Sequence, residues 1–361
     1  MVLMILLSTI HLVSVGQRLW ISLSSLQEGV KDLQLDRLRI GLHGGEPLLQ
    51  KQEEFDWMCG YFVEQLSPYV ALEFSLQTNG LPLNKAWLNL FEKYQIGPGV
   101  SIDGPKEYHD KYRVDHKGRG SYDRVVKKIH FYQEESKKRS MPPLGALSVI
   151  NPEISGRACY RLFVDEIGFD SFNFLLPDSN YDTPPVHNAS HYGRFMCEVF
   201  DEWTKDDNPE IHVTFAASAL GLFFGGQSVL YGVGPSSKDD LALPLITIAS
   251  NGDLSPVDEL RSTDPTMMHK ANVSTTSLEE FLNFPLFKEI ATAQAHLPEV
   301  CQACCWEKVC GGGGIVNRFG RDNRFNNPSI YCEGLKDFYT DLAAYMLKHN
   351  IAAAQLCQFL L

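Results

Sequence analysis

Five of the nine cysteines fall in two short stretches of the last third of the chain, VCQACCWEKVCGGGG and NPSIYCEGL. Cys301, Cys304, Cys310 and Cys332 give the spacing C-x2-C-x5-C-x21-C, with Cys305 adjacent and spare. Three local thiolates and a fourth returning from a distance make a closed tetrahedral set, suited to an iron–sulfur cluster or to structural zinc. Spacing leaves both open. Free thiols or disulfides fit less well, because paired C-x2-C spacings in a chain without a convincing secretion signal read as metal sites. Gly311–Gly314 let the backbone pass close to a bulky inorganic centre and turn without steric cost, which favours a cluster. Cys59, Cys159 and Cys197 stand singly in helical, apolar surroundings and read as small buried hydrophobes, and Cys357 in the apolar tail as inert.

The elements that must hold these thiolates come from a chain of 361 residues, with 44% hydrophobic and 21% charged residues. That composition is globular, and the length suits one large domain with a smaller appendage. With 32 Lys+Arg against 44 Asp+Glu the net charge is −12, too acidic for a nucleic-acid or anionic-membrane surface. The first seventeen residues are strongly apolar, yet no Lys or Arg precedes Arg18 and no small-x-small cleavage site follows, so they do not read as a secretory signal. They are also too few to span a bilayer. Ser8 can cap a helix running to about Leu26, with Ile10, Val13, Leu19, Leu23 and Leu26 at roughly helical spacing.

Beyond that the chain alternates β-like runs with helical stretches, the pattern of βα units and a parallel sheet or barrel. The predicted strands are Arg37–Leu42, Ala71–Gln77, Gly97–Ile102, Leu144–Ile150 and Ser171–Leu176, and the predicted helices lie near 52–66, 84–94, 122–138 and 154–166. The strands end in chemically pointed residues: Leu42 in His43-Gly44-Gly45-Glu46-Pro47, Gln77 in Thr78-Asn79-Gly80, and Ile102 in Asp103-Gly104-Pro105. In parallel α/β folds the carboxyl ends of the strands carry the site. The pattern loosens after about residue 205, which places a division into 1–235 and 236–361.

Six segments occur in order: HGGEPLL at 43–49, LQTNG at 76–80, VSIDGP at 100–105, HDKYR at 109–113, KGRGSY at 117–122, and CGGG with FNNPSIYC at 310–332. Together they resemble radical S-adenosylmethionine (SAM) enzymes with a C-terminal SPASM domain, and most of all the branch of peptide maturases that form cyclophane cross-links in ribosomally made precursors. The resemblance implies an α/β fold, a partial (β/α)6 barrel followed by a SPASM iron–sulfur domain. It implies that Gly44, Gly45 and Glu46 receive the amino group of SAM, that Ser101 hydrogen-bonds SAM, and that Asp103 begins the turn behind it. A turn-capping carboxylate is an equal reading of Asp103. It further implies that Cys301, Cys304, Cys310 and Cys332 hold an auxiliary [4Fe–4S] cluster. The implied partners are a precursor peptide and an electron donor such as flavodoxin or ferredoxin, with no nucleic acid and no membrane, in the reducing cytoplasm.

Two departures qualify the likeness. Relatives with a first auxiliary cluster carry C-x(9–15)-G-x4-C. Here Gly252 is present, but Val257 replaces the second cysteine and none precedes it at the right distance, so that cluster is not expected. The neighbouring Asp258 matches a carboxylate that accepts a proton in sulfatase-maturing relatives and is a candidate base, although a capping role fits equally. The second departure is larger: radical SAM chemistry uses a C-x3-C-x2-C triplet after the first strand, and no such triplet occurs. The radical SAM [4Fe–4S] cluster expected of the family therefore has no ligands in this sequence. By the motif alignment the chain is expected to start inside the barrel, without its first strand, leaving an unpaired sheet edge that proteins ordinarily avoid. The implied activity is hydrogen abstraction from a side-chain carbon of a bound peptide, then C–C closure onto an aromatic ring or similar acceptor. The rival is a catalytically incomplete protein that binds a peptide or a partner maturase, and a third reading is a zinc-stapled scaffold.

Overall fold

A computed structural model describes residues 2–8, 26–226, 245–257, 259–263 and 271–360, which form two compact units. The first comprises Met1–Ile102, Arg113–Ala146 and Leu243–Lys288; the second comprises Asp103–Tyr112, Leu147–Ala242 and Glu289–Leu361. The units thus interleave along the chain. The division expected at residue 235 falls within 227–244, outside the described residues.

In the first unit the strands are β1 (Val2–Ser8), β2 (Arg37–His43), β3 (Ala71–Thr78), β4 (Gly97–Ser101), β8 (Leu245–Ile248) and β9 (Leu254–Ser255). They are ordered β4-β3-β2-β1-β8-β9, parallel except for the β8/β9 hairpin. Three expected strands are therefore found with ends shifted by at most a residue. The core side of β2 buries Leu38, Ile40 and Leu42 completely, and β3 alternates to bury Phe74, Leu76 and Thr78, the period of two that places one face inward.

The opening of the chain corrects the sequence reading. Residues 2–8 are not the approach to a helix but strand β1, with Val2 opposite Arg37 and Ser8 opposite His43, and Met4–Leu7 opposite Leu245–Ile248. The barrel's missing first strand is supplied, and the edge of β2 is paired. A continuous apolar run of this length, buried between two parallel neighbours, carries no alternation by which to tell strand from helix. The rest of the helix expected from Ser8, residues 9–25, lies outside the described residues, and 26–32 are helical.

The helix Gln52–Leu66 turns Phe55, Met58, Cys59, Phe62 and Leu66 inward, at the three- and four-residue spacing of one helical face. The helix Lys85–Tyr94 starts where the Asn84 side chain accepts from the amides of Ala86 and Trp87, and stops at Gln95 in the left-handed region. Phe55 and Trp87 meet edge to face at 4.9 Å between ring centres.

Strand β5 (Gly145–Val149) carries the chain from the first unit into the second, where β6 (Ser171–Leu175) runs parallel to β7 (His212–Val213). The helices Ala189–Asp206 and Cys332–Lys348 pack face to face. Gly193 and Gly334 make that approach possible: a Cβ on Gly193 would overlap the Gly334 backbone, and one on Gly334 the carbonyl of Ala189. Phe172, Phe174, Phe195, Phe200, Phe215 and Phe338 fill the core beside them. Cys59 and Cys159 are buried as expected, whereas Cys197 is half-buried and Cys357 exposed.

Candidate functional site

Four cysteines from three local elements line one pocket. Cys301 belongs to the short helix Glu299–Gln302, Cys304 follows it, Cys310 ends the short helix Glu307–Cys310, and Cys332 opens the helix Cys332–Lys348. All four border a largely apolar cavity with Trp306, Gly312, Leu335 and Tyr339 among its other walls. Gly334, two residues beyond Cys332, is locked against the helix Ala189–Asp206, and this seats the distant fourth thiol. Three left-handed glycines, Gly311 (φ 58°), Gly312 (φ 83°) and Gly313 (φ 76°), fold the backbone around the pocket. Cys305, the spare thiol, is exposed and outside that lining.

Enclosure away from water pushes the Cys310 thiol up to about 12, and the nearby Cys332, Cys301 and Cys304 add to the shift. Burial raises Cys301 and Cys332 as well. Cys301, Cys310 and Cys332, held towards their neutral form in an apolar pocket that Cys304 also lines, would give up their protons to a bound cation. Among the described residues no group of three or more His, Cys, Asp and Glu is drawn together tightly enough for a single metal ion. Four cysteines around one pocket are the donor set of an iron–sulfur cluster or of structural zinc, and the residues present fit such a centre. The Trp306 amide lies 3.5 Å from Cys304 Sγ, and a backbone amide at Gly312 reaches Cys310, the kind of N–H···S bond that tunes such centres.

In the first unit the carboxyl ends of β2, β3 and β4 form a second assembly. Gly44 (φ 84°) and Gly45 (φ 51°) turn the chain after β2. Glu46 is then gripped from three directions: Oε1 accepts from the Thr78 hydroxyl at 2.6 Å and the Leu48 amide at 3.1 Å, and Oε2 accepts from the Asn79 amide at 2.7 Å. A carboxylate offers about four acceptor sites, so one remains for an incoming cation. Glu46 therefore also shapes the site, tying the end of β2 to the end of β3. Gln77 donates from Nε2 to Ser101 Oγ at 2.8 Å, which leaves the Ser101 hydroxyl proton free to point elsewhere.

Asp103, in the second unit, accepts the Val149 amide at Oδ1 (3.2 Å), while its own amide donates to Nδ1 of the fully buried His109 (3.2 Å). The carboxylate thus ties the loop after β4 to the end of β5, while the local turn is held through the Asp103 backbone amide and His109. Asp258 lies outside the described residues. Sequence reasoning missed His109 and Arg318, both fully buried. An Arg in the apolar, Gly- and Asn-rich stretch IVNRFG between two cysteines was the available signal, since arginine is almost never fully buried without a partner.

No family model matches the chain. The cysteine-type anaerobic sulfatase-maturating enzyme of Clostridium novyi is 24% identical over 310 residues, 82% of this chain and 78% of that enzyme. The serine-type anaerobic sulfatase-maturating enzyme of Bacteroides thetaiotaomicron is 25% identical over 337 residues, 84% of this chain and 75% of that enzyme. The solved structure of native anSMEcpe with bound AdoMet and Cp18Cys peptide superposes with a TM-score of 0.81 at 18% identity, covering 98% of this chain and all of that one. The fold is thus the α/β fold of radical SAM/SPASM proteins, and the chain's homologues are radical SAM enzymes that modify peptides. The narrower likeness to the cyclophane-forming branch rests on the sequence motifs. Among the described residues no helix is long and apolar enough to cross a membrane.

Proposed function

We propose that this protein takes part in radical SAM maturation of a ribosomally made precursor peptide, by hydrogen abstraction from a side-chain carbon and C–C closure onto an aromatic ring or similar acceptor. The observation that carries the reading is homology over four-fifths of the chain to enzymes named for maturing another protein, with the anSMEcpe fold bound to AdoMet and a peptide as its structural counterpart. The absence of a first auxiliary ligand set, with Val257 in the place of a cysteine, is compatible with the cross-linking branch. SAM, once bound and reductively cleaved, supplies the hydrogen-abstracting chemistry; the protein positions and shields. Gly44, Gly45 and Glu46 would receive the SAM amino group at the end of β2, with Ser101 as a further contact oriented by Gln77. Cys301, Cys304, Cys310 and Cys332 would hold a [4Fe–4S] cluster able to take up the electron released on closure. The precursor peptide, a flavodoxin- or ferredoxin-class donor, cytoplasmic residence and the functional division 1–235 and 236–361 belong to the same reading, as does Asp258 as acceptor of the departing proton.

One observation favours the second reading, a peptide-binding protein that does not start radical chemistry itself: β1 is in place, and residues 9–25 after it contain no cysteine. Anaerobic protein reconstituted with iron and sulfide, then given SAM, dithionite and candidate precursor peptides, separates the two. Release of 5′-deoxyadenosine together with a peptide lighter by two hydrogens and cross-linked in tandem mass spectra is the expected result. A hydrazide-reactive aldehyde would replace cross-linking by sulfatase-type oxidation, and peptide binding without SAM cleavage would establish the binding protein.

A further inference from the structure

Arg318 closes the 3-10 turn Val316–Arg318 beneath the cysteine pocket and is fully buried. Its guanidinium is held at two of three nitrogens: Nε donates to the Asn327 carbonyl at 3.1 Å and Nη2 to the Phe325 carbonyl at 2.9 Å. Asn327 answers by donating from Nδ2 to the Arg318 carbonyl at 3.0 Å. Both acceptors are neutral. The third nitrogen, Nη1, is buried without a hydrogen-bond partner, and it faces Gly312, where a Cβ would stand 3.2 Å from it. Gly312 is itself a wall of the pocket that Cys301, Cys304, Cys310 and Cys332 line. Among the described residues no carboxylate forms an ion pair with Arg318. A permanently charged guanidinium in this position is costly unless an anion answers it.

We propose that Arg318 is the resident counter-ion of the four-cysteine centre, stabilising its more anionic, reduced form and so raising its reduction potential. The proposal rests on reading those cysteines as a [4Fe–4S] site. Adding one electron from an external donor makes the four-thiolate centre one unit more negative. A buried cation whose unpartnered nitrogen faces a wall of that pocket stabilises the added charge, with little water to screen it. Net charge and hydrogen bonding near the sulfurs are the levers by which a protein sets such potentials. The consequence for this chain is a centre poised to accept an electron. A fork whose only purpose was to tie residues 318–327 together would use its two carbonyl bonds and leave the potential indifferent to charge.

The test compares full-length wild type, Arg318→Lys and Arg318→Gln, each anaerobically reconstituted, assayed for iron and acid-labile sulfide, and titrated with dithionite and mediator dyes under EPR. At a poise set to the wild-type midpoint, Arg318→Gln is expected to lower the reduced-to-oxidised ratio at least tenfold, a midpoint ~59 mV or more to the negative for a one-electron couple. Arg318→Lys should stay within that margin. If Arg318→Gln fails to load iron while Arg318→Lys loads at the wild-type potential, the requirement for charge is shown by another route. A fully loaded Arg318→Gln protein with an unchanged midpoint would overturn the proposal. So would loss of loading in both variants, which would leave only the structural fork. Wild-type protein that takes up zinc and no iron would overturn the cluster reading itself, a result distinct from either.

Discussion

The strand-end loop of the first unit and the cysteine pocket of the second are both built on runs of left-handed glycines, yet they stand in opposite states of completion. At the strand ends Glu46 already has three donors, and Ser101 has Gln77. That loop is fully made without a ligand, and a cofactor entering it would meet a shape already set. The cysteine pocket holds four thiols, three of them with raised ionisation, and an apolar lining, and beside its Gly312 wall stands an arginine with one unanswered nitrogen. The comparison teaches that one site is preorganised by internal hydrogen bonds, whereas the other, on the proposed reading, would borrow its stability from a bound cluster.

The sharpest way to break this contrast is to remove the guest. Cys310→Ala should abolish the iron–sulfur absorbance and leave fewer than four iron atoms per chain. Hydrogen exchange should then speed up across residues 299–348 and stay unchanged across 43–80. Equal loosening of both segments would refute the claim that only one site depends on its occupant. Next in size, Gly334→Val forces a side chain into the backbone of the helix Ala189–Asp206, and about 3 kcal/mol of stability should be lost, the upper end of what overpacking costs. Denaturant midpoints read this directly, and a loss below half of it would mean the two helices can move apart.

On the preorganised side, Glu46→Gln leaves one oxygen where there were two and turns an amide nitrogen toward donors that cannot accept it. The expected cost is about 1–3 kcal/mol in folding stability, with weaker SAM binding alongside. Unchanged SAM affinity by calorimetry would remove Glu46 from the cofactor site. The smallest effect should come from Asn84→Ala, which strips the cap from the helix Lys85–Tyr94 and should lower stability by about 1 kcal/mol, with no effect on iron content.

Most of the fold was legible because its signals are local. The helix 52–66 was bounded to the residue, and β2, β3, β4, β5 and β6 were placed within a residue or two, since apolar alternation and turn residues are written in adjacent positions. β1 was not, and the reason is specific: a strand paired on both edges by parallel neighbours can be a uniform apolar run, and only Arg37–His43 and Leu245–Ile248 reveal that it is a strand. The hairpin β8/β9 was missed for a related cause, because four wholly buried residues and a turn at Asn251-Gly252 are too short a pattern to stand out.

For the candidate sites, residue types and spacing by themselves singled out the four cysteines that line one pocket and the polar residues at the strand ends. Thiol chemistry and strand periodicity are properties of the residues themselves. Only the tertiary structure decided that Glu46 spends most of its acceptors on Thr78, Leu48 and Asn79, that the Asp103 carboxylate reaches the Val149 amide, and that Arg318 stands as a buried cation beside the cysteine pocket. Those roles depend on which group lies within about 3 Å of which other. Distances of that order between residues far apart in sequence are set by packing, not by any single segment.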